Sequence, residues 1–202
     1  MFFVYYYIYK LIIMTDASIL KDGVLNFFFK KEEGKCLSNF WKGRILISQE
    51  NEEREYDSGE SCFHGEKFTR IGRLCKDETR KNQLIEYGKM FLNDICKNDG
   101  NLVKKMGRAL ILINSELELW NGLSVCVQEE ICKYKFDNYQ IVREELQKSK
   151  GKILVHPALR CGEDKLRHRL WEGKGIVVDG EIKIIGKNML GNLWMKLRDT
   201  IP

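Results

Sequence analysis

Proline is nearly absent from this chain: two occur in 202 residues, at positions 157 and 202. With no proline-rich, low-complexity or repeated stretch, nothing resembles a linker that would divide the molecule. Histidine is nearly as scarce, with three. His64, His156 and His168 lie far apart, so no local pair has metal-ligand spacing. The seven cysteines (36, 62, 75, 96, 126, 132 and 161) are odd in number and contain no CxxC pair. Cys126 and Cys132 have no histidine beside them at zinc spacing, which leaves reduced, mostly buried thiols of an intracellular, cytoplasmic protein as the reading. A GxxxxGK[ST] phosphate loop, a GxGxxG turn, HExxH and GxSxG are all missing, so the common nucleotide-binding, zinc-protease and serine-hydrolase designs are unsupported.

A long apolar run is also lacking. The opening "MFFVYYYIYKLIIM" is broken by Lys10 and falls short of the roughly 20 residues a bilayer span needs. It has neither the basic start nor the small-residue cleavage site of a signal peptide. Residues 1–22 are therefore expected to form an apolar extension peripheral to a functional domain at 23–202, and Met14 offers an alternative start. Charge is balanced, 34 basic against 29 acidic residues, and interspersed as in "KKEEGK" and "EEREYD". That pattern describes a solvated surface better than a nucleic-acid footprint, with a phosphate-bearing small ligand as the secondary reading.

What is present reads as one well-buried core, since 44% of the residues are apolar. "GVLNFFFKK" and "GRILIS" predict strands, and "QENEEREYD" predicts a loop between the second strand and the next helix. Ser58 predicts the N-cap of that helix, across "GESCFHGEKFTRIG". Helical periodicity continues in 79–98, 101–110, 123–136 and 138–151, with a short buried strand next at "KILVHPAL" and a last helix over 186–199. The fold class predicted is α+β, a helix-dominated single domain with a small sheet built from the early strands and the segment near 153.

The informative stretch is "SGESCFHGEKF". On a helix, Glu60, His64 and Lys67 fall at i, i+4 and i+7 and share one face, whereas Cys62 and Glu66 point elsewhere. Spacing alone supports no more than a charged stripe, whose pairs stabilise a helix by about 0.2–0.5 kcal/mol each. Phe63 and Phe68 flank the stripe, so the helix buries an adjacent face.

Here the residues resemble a known family. "CLSNFW", carrying Ser38, Asn39 and Phe40, is similar to the F-S-N-F segment of the YbiA-like, or NADAR (NAD- and ADP-ribose-associated), N-glycosidases. "SGESCFHGEKF" resembles their S-x-E-H-x-F-Q-x-x-K-F pattern. "KMGR", Trp120, "KYKF", "RLWEGKG" and "GKNMLGNLWMKLRD" come next in the family's order, so the resemblance spans about residues 25–200. Three departures stand out: Ser61 replaces the histidine after the motif glutamate, His64 replaces the glutamine, and His168 stands where an acidic residue is common. "IVVDGEIKI" also lengthens a late loop and reads as an inserted hairpin.

The resemblance implies hydrolysis of a C1′–N bond, through a transition state with oxocarbenium character, in a ribosylamine phosphate or related nucleotide such as a riboflavin-pathway intermediate. It implies Glu60 and Lys67 as the catalytic pair, the lysine acting as a neutral amine nucleophile. Ser38, Asn39, Phe40, Phe63, His64, Arg108, Trp120, Trp171, Lys187 and Asn188 become the expected substrate-binding set. Within it, Asn39 would hold ribose hydroxyls, Trp120 and Trp171 would stack on a base, and Arg108 and Lys187 would meet a phosphate. No cofactor and no metal is expected, because such hydrolysis needs only water. The expected partner is a small ribosyl phosphate or ADP-ribose conjugate, with nucleic acid entering only as a modified substrate. ADP-ribosylated guanine and a non-catalytic ADP-ribose- or nucleotide-binding module are the rival readings.

Overall fold

The structure, a computed structural model, describes residues 16–49, 52–92, 99–159 and 161–202. Most of the expected 1–22 extension, the first 15 residues, therefore lies outside the described residues, as do Ile95 and Cys96. In chain order the elements are helix α1 (16–23), β1 (Val24–Asn26), β2 (Lys42–Gln49), β3 (Glu52–Ser58), α2 (Gly59–Leu74), α3 (Glu78–Lys89), α4 (Gly100–Ala109), α5 (Asn114–Asn138), α6 (Gln140–Lys148), β4 (Ile153–Val155), α7 (Glu163–Leu166), β5 (Lys174–Val178), β6 (Glu181–Ile185) and α8 (Met189–Arg198). Helices dominate, as predicted. Among the described residues the strands form three two-stranded sheets rather than one. No helix among those residues is long and apolar enough to cross a membrane.

The chain divides into two compact units, one containing Cys36–Val142 and the other the described residues up to Lys35 together with Arg143–Pro202. In the second unit β1 pairs in parallel with β4, Leu25 opposite Leu154. β5 and β6 form the expected hairpin, closed by Asp179 and Gly180, both at positive φ. α8 buries Leu190, Leu193 and Trp194.

In the Cys36–Val142 unit, β2 and β3 are an antiparallel hairpin with Ile45 opposite Tyr56 and Ile47 opposite Arg54. This corrects the loop predicted at 49–57, of which residues 50–51 are not described. The strand was hidden because its inward positions are Arg54, Tyr56 and Ser58, while Glu53 and Glu55 face solvent. It alternates with period two, but a charge occupies the place where an apolar residue is sought. α5 is also longer than predicted. Its first turns expose Leu117 and Leu119 and contain Gly122, so no apolar stripe marks them. They are anchored instead at Glu116, which accepts from the Ile113 backbone at 2.9 Å and from Arg80 at 2.8 Å.

α2 lies at the centre of this unit, packed against α3, α4, α5 and the hairpin. Ser58 caps it as expected, its hydroxyl accepting from the Ser61 amide at 3.2 Å, an interaction worth about 1 kcal/mol. One side buries Cys62, Phe68 and Ile71. Another buries the Glu66 carboxylate, fully enclosed, which accepts from Arg54 (2.8 and 3.1 Å), Tyr56 (2.8 Å) and Arg70 (2.8 Å). Burial alone would raise the pKa of Glu66, but the hydrogen bonds from Arg54 and Arg70 hold it below the usual carboxylate value.

Removing this charge takes from Arg54 and Arg70 their shared buried partner and leaves each with a more exposed one, Glu52 for Arg54 and Glu130 for Arg70. Glu66→Gln is expected to destabilise the protein by about 1–3 kcal/mol in urea unfolding at neutral pH. Because the folded-state value is depressed, the wild-type advantage should be present at neutral pH and disappear as pH falls through the acid range.

Candidate functional site

α2 enters from β3 through Ser58 and places Glu60 in its first turn, where the helix dipole favours a carboxylate. The Glu60 amide donates to the Asn39 carbonyl at 2.9 Å, so the loop at 38–41 sits directly on the start of the helix. One turn on, His64 Nε2 stands 3.4 Å from Glu60 Oε1, and both side chains are about nine-tenths covered. The other ring nitrogen, Nδ1, is buried and has no hydrogen-bond partner among the described residues. Phe63 and Phe91 contact the imidazole at ring-centroid separations of 5.7 and 5.9 Å.

Lys67 occupies the next turn and is itself 9% exposed. Its ammonium donates to the Gly107 carbonyl in a very short contact and lies 4.2 Å from the Phe68 ring centroid. Burial first, and the Arg108 charge second, bring its pKa down to about 8. About a tenth of such an amine is unprotonated at pH 7, where an ordinary lysine is almost wholly charged.

Gly107 joins the two halves of this face. A Cβ there would lie 2.3 Å from His64 Nδ1, so only glycine lets α4 approach the imidazole while its carbonyl reaches Lys67. Glu60, His64 and Lys67 thus form a row of carboxylate, imidazole and amine on one buried helical face.

Of the other expected site residues, those of the Cys36–Val142 unit gather around this row in varied roles. Ser38 is buried, with its hydroxyl accepting from the Phe40 amide at 3.2 Å. Asn39 commits its amide to Gln128 in a reciprocal pair, 2.7 and 3.0 Å, and presents its backbone to α2. The Phe40 ring has Lys104 Nζ 5.8 Å from its centroid. Trp120 meets Phe63 edge-on at 4.9 Å. Arg108 is exposed at the end of α4, close enough to act on Lys67. Trp171, Lys187 and Asn188 belong to the other unit. Lys187 is exposed and Trp171 partly buried. Asn188 flanks α8 at φ +46, and its amide bridges the His156 amide (3.1 Å) and the Leu154 carbonyl (2.8 Å), so it holds β4 and does not cap the helix.

Three residues were given no role at the site beforehand: Gly107 and Lys135, which stand in the motifs "KMGR" and "KYKF", and Gln128, the last two being buried polar residues of α5. For the α5 pair the signal was phase, since Ser124, Gln128, Ile131 and Lys135 repeat at i, i+4, i+7 and i+11 along the buried stripe. Among the described residues no cluster of three or more His, Cys, Asp or Glu is arranged to hold a metal ion.

The fold and this face define a helix-rich α+β protein that sets a carboxylate, an imidazole and a buried amine side by side. The NADAR domain profile matches residues 27–202, and the chain belongs to the NADAR family. Among solved structures, the NMR structure of the E. coli protein YbiA is similar over 89% of this chain and 85% of that one, with a TM-score of 0.54 at 20% identity. At that identity the likeness speaks for the fold. No curated protein matches.

Gly107→Ala is expected to push His64 aside and break the Lys67 contact. It should lower stability by about 1–3 kcal/mol in thermal unfolding and shift the His64 ring resonances. An unperturbed His64 would show that the close approach is dispensable.

Proposed function

We propose that this NADAR-family protein is an N-glycosidase that hydrolyses the C1′–N bond of a ribosylamine phosphate or related nucleotide. The observation that carries the reading is the buried row itself, with an amine whose pKa burial brings down to about 8, two helical turns from a carboxylate. In the ring-opened substrate C1′ is doubly bonded to the protonated base nitrogen. The neutral Lys67 amine attacks that carbon, and the Glu60 carboxylate passes the proton shed by the attacking amine to the base, which leaves. Lys67 remains joined to the sugar as a protonated Schiff base. Glu60, a carboxylate again, takes a proton from water as the water adds to C1′ and returns it to the lysine nitrogen, and collapse frees the sugar phosphate and the amine. His64 orients Glu60 through the Nε2 contact, and its aromatic surroundings keep the row dry, which strengthens each charge interaction. Trp120 and Phe63 offer an aromatic wall for a departing base.

A second reading, ADP-ribose removal from guanine, draws support from the exposed basic run Arg167–His168–Arg169. Release of free base from a ribosylaminopyrimidine phosphate or from guanine-linked ADP-ribose decides between them. Binding without release from either would favour a non-catalytic module.

Glu60→Gln should fold normally and lose about 10²–10⁴-fold in kcat; full activity would remove its role. Borohydride added during turnover should trap a sugar adduct on Lys67 by peptide mass spectrometry, and a substrate-dependent adduct persisting in Lys67→Ala would place the nucleophile elsewhere. Because the charged amine is inert, kcat should climb between pH 6 and 8 as Lys67 loses its proton. A profile flat over that range would contradict an amine nucleophile.

A further inference from the structure

Lys135 is fully buried although it lies in the last turn of α5, with exposed Lys133 and Asp137 two residues to either side. Its Nζ donates to the Ser38 carbonyl at 3.1 Å and lies 5.2 Å from the Trp41 ring centroid. Both contacts fall on the loop at 38–41. The same Ser38 carbonyl accepts from the Trp41 amide at 3.1 Å, so the loop is tied around the ammonium. α5 grips this loop a second time two turns earlier, where Gln128 pairs with the Asn39 amide at 2.7 and 3.0 Å. The loop in turn holds the first turn of α2. The Asn39 carbonyl accepts from the Glu60 amide at 2.9 Å, and a Cβ on Gly59 would lie 2.8 Å from the Asn39 side chain.

We propose that Lys135 is a positioning residue for the Glu60 carboxylate: its ammonium fixes the loop at 38–41, whose Asn39 carbonyl fixes the Glu60 backbone. A space-filling apolar residue would serve packing at less desolvation cost, so the buried cation is explained by the carbonyl it holds. The inference rests on Glu60 acting as the catalytic carboxylate, but the linkage from Lys135 to Glu60 is observable without any substrate.

Burial brings the Lys135 pKa down to about 8. Among the described residues, the titratable groups that act on it are the Cys132 thiol from its own helix and the Cys36 thiol from the turn before the loop. The grip should therefore slacken as pH rises through about 8, since a neutral amine is the weaker donor.

The test is an amide NMR titration of the full chain from pH 6.5 to 9.5, in wild type, Lys135→Met and Lys67→Met. In wild type the Asn39 and Glu60 amide resonances should move with a midpoint near 8. The movement should vanish in Lys135→Met and persist in Lys67→Met, which separates the two lysines that titrate alike. In base release, Lys135→Met should lose on the order of 10²-fold in kcat with KM little changed, as expected when a catalytic group is displaced by about an ångström. Should Lys135→Met not fold, Lys135→Gln, which keeps a donor without the charge, carries the same titration. Unchanged titration in the Lys135 variants, or its loss in Lys67→Met, overturns the proposal. Titration as expected in a protein that releases no base would sustain the linkage while rejecting the glycosidase reading.

Discussion

A buried carboxylate governs this molecule's candidate site without belonging to it. Glu66 accepts from Arg54, Tyr56 and Arg70 in the interior of the Cys36–Val142 unit. In an α-helix its side chain points about 100° away from that of Lys67, the nearest member of the row formed with Glu60 and His64. Fixing one direction of a helix fixes all of them. With Glu66 locked to the β2–β3 hairpin, α2 cannot rotate, and the row must face α4 and the loop at 38–41. The tie to β3 also explains why a strand so rich in charge pairs at all: its buried arginine is neutralised from the neighbouring helix.

Lys67 draws its chemistry from burial beside a second cation. Around its ammonium stand the Gly107 carbonyl, the Phe68 ring and the Arg108 charge, and none of these is a counter-ion. Glu66 is adjacent in sequence yet faces the other way, engaged by three other donors. Had the two residues shared a face, the carboxylate would hold the lysine charged and inert. Glu60 shares the face but has an imidazole, one turn closer than the amine, as its near partner. Keeping the amine apart from both carboxylates is what nucleophilic work by a lysine requires.

Much of this was legible in the sequence because the elements concerned obey local rules. Ser58 announced α2, the 3.6-residue period announced α3, α4 and most of α5, and the stretch "IVVDGEIKI" announced the β5–β6 hairpin. The i, i+4, i+7 spacing placed Glu60, His64 and Lys67 on one face from the residue order alone. What stayed hidden depends on partners distant in sequence. β3 could not be seen as a strand without knowing that Glu66 would neutralise Arg54. The early turns of α5 could not be seen without Arg80 reaching Glu116. The pairing of the Asn39 amide with Gln128, 89 positions away, also has no local signal. Asn188 likewise reads as a helix cap until β4 claims it.

Everything proposed for this face depends on an amine that burial has made reactive. The most direct measurement is the protonation of Lys67 itself, followed by 13Cε NMR of lysine-labelled protein and assigned by its disappearance in Lys67→Met. A midpoint near 8 is the expected result, and a midpoint at the ordinary lysine value of 10.5 would contradict it.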